Sequence, residues 1–544
     1  MAPACPIAGK AEQGPLPCKE ALALRKDDIT QERRNAMKRD LQGGRSLAAA
    51  LLLGALLLLG GCAAQLQERP SEDLTQTDIV MDVPAPAASA YDTREERVVL
   101  YFLDEEGMVL VPVSRTIAVE DGMPLAQAAL LALCAGPLEG EAAYWPDIGR
   151  LSPERGFELS GGVATVNLPT RMRALSPEEL YAVRMAIAHT LTEFAEVSYV
   201  SVLVGGREEG FDLAASMPVG ALSRVEDLDV SSRYVRLDEL LKNPQDAGIS
   251  RLTVLRFPSL DGRWILPEVR SVTYAGLKPI ECLYTVLEEI GRGTDNPLAM
   301  DVPAPMDYIE DMPEIIRYED GAYRAIELRF SGELDDALEK AGLTRGAYLA
   351  LLTDTLTGFV PGVDGVLVYI GGRPVTGLSA KDAPDGQERT FAHGLAAWED
   401  FAGYTGAPGV MYLPEAEQGK LEAVNCIFPQ ELQFDAQRRL WQLTQQFLDR
   451  GVLTGSLTET EILAVHVEQD RMLLNLSGAY AAAMAQLTAA QERAAVYAIV
   501  NTLTQGTGVE RVAFFFEGEQ REALSGGLEM RGEFLRNPGM VVTK

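Results

Sequence analysis

His189-Thr-Leu-Thr192, Asp354-Thr-Leu-Thr357 and Asn501-Thr-Leu-Thr504 are three appearances of one signature, and the residues around them decide the fold. Each is followed by a β-rich run: Val200-Ser-Val-Leu-Val204, Val366-Leu-Val-Tyr-Ile370 and Val512-Ala-Phe-Phe-Phe516. The first two runs end in Gly-Gly-Arg, at Gly205 and Gly371, and the third in Glu517-Gly518-Glu519. A tripeptide, a strand and a turn recurring together mark an internal repeat, which has to be recognised before any other feature is assigned.

Working upstream, each signature closes a predicted helix. Leu180, Val183, Ile187, Leu191 and Phe194 form one stripe at helical spacing, as do Tyr348, Leu352 and Leu356, and then Ala495, Ile499 and Leu503. Ser176-Pro177-Glu178-Glu179 and Thr488-Ala-Ala-Gln491 open the first and third helices as capping boxes, and the second opens near Thr344. Gly358 and Gly506 are placed to stop the second and third in a left-handed conformation.

Before each helix lies a strand: Gly162 to Leu168, Tyr323 to Leu328 and Arg471 to Leu476. Earlier still come a strand pair and an amphipathic helix, the helices at about 124–135, 278–290 and 435–449. The order β-β-α-β-β-α-β predicts an α+β fold: three tandem two-layer modules, each with two helices on a mostly antiparallel sheet. Their expected bounds are 97–222, 250–379 and 409–530, each module large enough for its own core. Residues 222–250 and 380–408 read as connecting segments, with a short helix available over Val235 to Leu241.

At the other end of the chain, Leu47 to Leu59 is apolar throughout and is preceded by Lys38, Arg39 and Arg45, the pattern of a secretory signal. It runs into Leu59-Gly60-Gly61-Cys62, which resembles the lipobox of bacterial lipoproteins. That resemblance implies cleavage after residue 61 and diacylation of Cys62, with the protein held on the outer face of the cytoplasmic membrane. Met37 opens a compact signal peptide, so translation is expected to start there rather than at Met1. Residues 62–96, rich in Gln, Glu, Asp, Pro and Ala, read as a flexible tether.

The formal charge is −31, and residues 1–61 carry nine Lys/Arg against six Asp/Glu, so the remainder is more acidic still. Such a surface disfavours nucleic acid and anionic lipid as partners. Of six cysteines, Cys5 and Cys18 fall in the leader, and Cys134, Cys282 and Cys426 lie in apolar segments without CxxC spacing, as buried unpaired thiols do.

No catalytic, cofactor or metal site is legible. His189, His393 and His466 are the only histidines, far apart and without metal-ligand spacing. Gly205-Gly206-Arg207 and Gly371-Gly372-Arg373 have amides and arginine suited to an anion, but fit tight turns better. Glu310-Asp-Met-Pro-Glu314 lacks the ligand alternation of a calcium loop and reads as a solvated loop.

The first copy shows Leu100-Tyr101-Phe102, Cys134-Ala-Gly136-Pro137, Gly162-Val-Ala-Thr-Val-Asn-Leu168 and Thr190-Leu-Thr192. With these residues it resembles the GerMN domain, the sporulation and germination domain of GerM-like lipoproteins from spore-forming Gram-positive bacteria. The other two copies look like diverged members, since Gly136-Pro137 is replaced by Gly291-Arg-Gly293 and Arg450-Gly451. Three copies also exceed the one or two usual in that family. The resemblance implies a fold like the ring-building motifs of secretion and sporulation channels. It also implies a non-catalytic scaffold for extracytoplasmic envelope proteins, ring-building-motif proteins among them. An envelope ligand-binding lipoprotein, for peptidoglycan or a small solute, is the alternative.

Overall fold

The computed structural model describes residues 93–542 except 121, 142, 154, 212–216, 243–248, 275–277, 416–418 and 469, with only the backbone described over 237–242. Met37, the apolar run, Cys62 and most of the expected tether lie outside the described residues. Among the described residues no helix is long and apolar enough to cross a membrane.

The first segment runs β1 (Thr93–Leu103), β2 (Leu110–Glu120), α1 (Leu125–Cys134), β3 (Phe157–Ser160), β4 (Val163–Leu168), α2 (Pro177–Leu191) and β5 (Tyr199–Val204). Helix α3 (Val230–Lys242) follows. The second runs β6 (Ile249–Pro258), β7 (Ile265–Tyr274), α4 (Pro279–Gly291), β8 (Ile309–Tyr318), β9 (Tyr323–Phe330), a shorter helix over Glu333–Ala341, α5 (Arg345–Thr357) and β10 (Gly365–Ile370). The third runs β11 (Gly406–Pro414), β12 (Leu421–Pro429), α6 (Ala436–Asp449), β13 (Ile462–Glu468), β14 (Arg471–Leu476), α7 (Ala489–Thr504), β15 (Arg511–Phe516) and β16 (Phe534–Leu535).

Strand pairing repeats with the order. Each segment opens on an antiparallel hairpin in which Tyr101 faces Pro112, Arg256 faces Pro267 and Tyr412 faces Ala423. Each then forms an antiparallel pair, β3–β4, β8–β9 or β13–β14. A helical crossover adds a parallel strand: β4–β5, β9–β10 or β14–β15. A returning stretch closes the sheet antiparallel, with Leu222 on Val200, Ala396 on Val366 and Phe534 on Val512.

The fold is thus α+β, but its layers differ from the expected ones. The hairpins form sheets of their own. The first helix of each segment packs on its hairpin, and the second packs on both the hairpin and the parallel strand. Helices α2, α5 and α7 are consequently buried almost all round, where one apolar stripe was expected. Ile187, Leu352 and Ile499, each three residues before the first Thr of a signature, are fully buried. Each such side chain contributes roughly 1.5–3 kcal/mol. Ser176, Thr344 and Thr488 cap the three helices as expected. Gly506 is left-handed, at φ 70°, whereas Gly358 remains helical at φ −74° because the chain continues through Phe359 and Val360 into the core.

Several expected limits shift. Strand β1 begins at Thr93, inside the expected tether, and β16 lies beyond residue 530. The stretch 380–408 is no mere connector, since Ala396 joins the sheet and Trp398, Phe401 and Tyr404 are buried. Helix α3, longer than foreseen, packs on α2. Glu310 to Glu314 forms part of edge strand β8, interrupted by register shifts and by Pro313, devices that discourage edge-to-edge pairing. Most consequentially, the first two segments share one continuous core from Val98 to Tyr404, and only the third keeps a separate one.

Candidate functional site

The repeated tripeptide has the same geometry each time. The first threonine's Oγ1 accepts a backbone N–H from the opening strand: Tyr101 to Thr190 at 2.9 Å, Arg256 to Thr355 at 3.1 Å and Tyr412 to Thr502 at 3.0 Å. Those N–H groups point away from the hairpin partner, so their positions are non-hydrogen-bonded ones in the antiparallel ladder. Pro112 and Pro267 can stand opposite them because no ladder donor is needed there. Leu191, Leu356 and Leu503 fill the core. The second threonine donates back to the carbonyl four residues earlier, on Ala188 at 2.7 Å, Thr353 at 2.8 Å and Val500 at 2.8 Å. The signature is a clasp of helix to strand.

Around the clasp the segments divide. In the first, the Tyr101 hydroxyl donates to Glu193 at 2.7 Å and accepts from Arg224 at 3.1 Å. In the third, Tyr412 donates to Gln505 at 3.3 Å and accepts from Arg536 at 2.7 Å. The register of the returning stretch places Trp398 where these arginines stand, and Arg256 occupies the tyrosine position. The aromatic ring and the cation have exchanged places, with the Arg256 guanidinium 5.1 Å from the Trp398 ring centre. Likewise Asn167 and Asn475 each accept the second turn amide, from Gly206 at 2.7 Å and Gly518 at 3.0 Å, while the second segment has Arg329 at that place.

The residue before each clasp faces outward from the helix and takes a different partner each time. Asn501 exchanges two hydrogen bonds with the Asn537 backbone, at 3.0 and 2.8 Å. Asp354 accepts from Arg155 at 2.8 Å, and Arg155 also donates to Glu158 at 2.8 Å and lies 3.7 Å over the Trp398 ring. Arg256 stands 3.8 Å from both Glu158 and Asp354, and Thr405 donates to Glu158 at 3.2 Å. Two buried cations thus balance two buried anions across the seam of the first and second segments. Burial pushes the Glu158 carboxyl up, but Arg155 and Arg256 outweigh it and hold the group below its ordinary range.

His189 is buried beside the Tyr101 ring, at 5.3 Å, with neither ring nitrogen hydrogen-bonded. Burial, with Arg224 and Arg233 adding to it, pushes its imidazole down to about 4. His393 pairs with Glu319 at 2.8 Å, and His466 lies on β13, so the three histidines are not brought together. Cys134, Cys282 and Cys426 are free, and burial raises their thiols to about 12, 12 and 11, which leaves them unreactive. The Gly-Gly pairs are left-handed hairpin turns, and Arg207 is taken up by Glu209 and Asp364. Among the described residues no three metal-ligating side chains cluster. Sequence reasoning did not find Arg155, Arg224, Trp398 or Arg536. For Arg224, Trp398 and Arg536 the signal was their fixed offset from the returning stretch, whose pairing appears only in three dimensions, whereas Arg155 lies just before β3, outside that pattern.

Residues 99–210 and 412–522 each match the family model named Germane, described as sporulation and spore germination. The chain carries Germane domains. The two matched stretches are the two segments that share the tyrosine–arginine contact and the asparagine-held turn, and the Germane match omits the segment between them, where both are altered. Among solved structures, the tandem GerMN domains of the sporulation protein GerM from Bacillus subtilis are 16% identical. That alignment spans 56% of this chain and 100% of that one, with a TM-score of 0.21. A candidate lipoprotein from Clostridium perfringens is 18% identical over 24% of this chain and 88% of that one, with a TM-score of 0.17. Comparison with curated proteins gives no match.

Proposed function

We propose that this protein is a lipoprotein of the outer face of the cytoplasmic membrane, anchored through Cys62, that acts as a non-catalytic scaffold for envelope proteins in spore formation or germination. One observation carries the reading: the polar side chains that recur from segment to segment are consumed in holding helix to strand and segment to segment. The Germane match supports the process, and the apolar run ending in Leu59-Gly60-Gly61-Cys62 supports the anchor. The middle segment is a third, diverged copy, on the strength of its equivalent clasp and strand order. Because the first two segments share a core, the unit that meets a partner is the fused pair rather than an isolated module.

The test is metabolic labelling with a fatty acid, followed by crosslinking in the native envelope. Cys62→Ala abolishes label and membrane retention, and the wild-type protein crosslinks to extracytoplasmic proteins. Equal labelling of the variant overturns the anchor, and an envelope without crosslinked partners overturns the scaffold. A second reading, an envelope ligand-binding lipoprotein, is favoured by an arginine-lined hollow at the seam of the first two segments.

A further inference from the structure

Between α2, the returning stretch after β5, α3 and β6 lies an open hollow of about 490 Å³. Its size falls within the roughly 300–1,000 Å³ typical of small-molecule sites. Tyr181, Met185 and Val219 give it an apolar wall, and Arg233, Arg236 and Arg251 line it. Among the described residues that line it there is no carboxylate, although Asp and Glu outnumber Lys and Arg by 79 to 48 in the chain. Three arginines gathered at one hollow run against that composition, and only Arg236 has a carboxylate partner among the described residues.

The arginines are not equivalent. Arg236 is already paired with Asp227, at 3.1 Å on the exposed rim. Arg251 donates to two backbone carbonyls, Pro218 at 3.3 Å and Ser250 at 3.0 Å, and its Nη2 is buried without a partner. Burial depresses its basicity, and the groups that offset this are Tyr181, Cys282 and Tyr274, none of them a carboxylate. Arg233, half-buried on α3, makes no ion pair among the described residues. A cation withdrawn from water is costly unless an anion compensates it. Elsewhere at this seam the chain supplies that anion itself, as Asp354 does for Arg155 and Glu208 for Arg184.

We infer that the hollow binds a small organic anion, a carboxylate or phosphate borne on an apolar body, with Arg233 and Arg251 supplying the charge and Tyr181, Met185 and Val219 the apolar wall. A small ligand is specified because a long polyanion would meet the acidic surface beyond the rim. The site goes beyond the scaffold reading and does not depend on it.

The test is isothermal titration of the detergent-solubilised full chain with benzoate and with phenyl phosphate, using neutral benzamide as the control. At least one anion binds, benzamide binds at least tenfold more weakly, and Arg233→Met weakens the anion by about ten- to a hundredfold, as loss of a charge-assisted contact does. Arg236→Met has a smaller effect because that charge is already met by Asp227. Preference for benzoate identifies a carboxylate ligand, and preference for phenyl phosphate a phosphate ester. Arg251→Lys, which keeps the charge without the bond fork, guards against loss of folding and also weakens binding. Failure of both anions to bind, benzamide binding equally well, or Arg233→Met leaving affinity unchanged would each overturn the inference.

Discussion

Replacing the first threonine of a signature tests the clasp directly, and the third segment is the clearest place because its core is separate. Thr502 is fully buried, and its Oγ1 accepts the Tyr412 N–H at 3.0 Å. Thr502→Val keeps the side-chain shape but leaves that N–H without an acceptor in a buried place. An orphaned buried donor costs about 1–3 kcal/mol. Thr504→Val is the matched control. Its hydroxyl donates to the Val500 carbonyl, which the helix already satisfies, so the loss is within about 0.5 kcal/mol. Denaturant unfolding followed by tryptophan fluorescence reads the difference, with Trp441 reporting on the third segment. Hydrogen exchange at the Tyr412 amide reads it locally: protection falls in Thr502→Val and persists in Thr504→Val. Equal midpoints for the two variants, with Tyr412 still protected in both, would show that the clasp does not hold the strand.

Two further outcomes follow, one from the seam and one from His189. Arg155→Met leaves Glu158 and Asp354 facing only Arg256, so the fused first and second segments lose about 3–5 kcal/mol in denaturant unfolding. Adding Asp354→Leu and Glu158→Leu to that variant restores part of the loss, and no recovery would refute the charge accounting. His189 gives a pH dependence whose sign is fixed: the folded imidazole is depressed from 6.5 to about 4, so the unfolded chain binds the extra proton. Its stabilising contribution is therefore complete above about pH 6.5 and is lost as pH falls toward 4, about 3 kcal/mol over the full window. His189→Phe, which keeps a ring against Tyr101, flattens the slope between pH 6.5 and 5, and unchanged slopes in urea midpoints would refute the assignment.

What was legible in the sequence was governed by short-range rules. Helix caps at Ser176, Thr344 and Thr488 rest on hydrogen bonds spanning three residues, and the turns at Gly205 and Gly371 on the steric freedom of one residue type. The Thr-Leu-Thr signature was visible as a repeat but not as a clasp, because its partners Tyr101, Arg256 and Tyr412 stand 89, 99 and 90 residues upstream. Periodicity alone assigns one buried face to a helix, so it could not show that α2 and α5 are enclosed on both sides. The shared core was hidden for a related reason: apolar strands such as Leu252 to Phe257 look alike whether they face their own helix or a neighbouring segment.

The middle segment keeps the strand order and the clasp of the other two while its side chains differ. Tyrosine on the opening strand and arginine on the returning stretch, as in the first and third segments, become Arg256 and Trp398. The contact survives with its polarity reversed, because a cation over an aromatic ring is indifferent to which strand supplies which partner. The reversal also frees a guanidinium to face inward at the seam, and there Glu158 of the first segment and Asp354 meet both Arg256 and Arg155. One exchange therefore removes the tyrosine–arginine contact of the two Germane domains and supplies a charge that joins the first two segments. By this argument Arg256 and Trp398 are coupled to Arg155. Arg256→Tyr with Trp398→Arg, which restores the outer pattern, weakens the joined core rather than strengthening it, since Arg155 loses the ring it lies over. Denaturant unfolding of the double variant measures this, and an unchanged or higher midpoint would show that the exchange and the seam are independent.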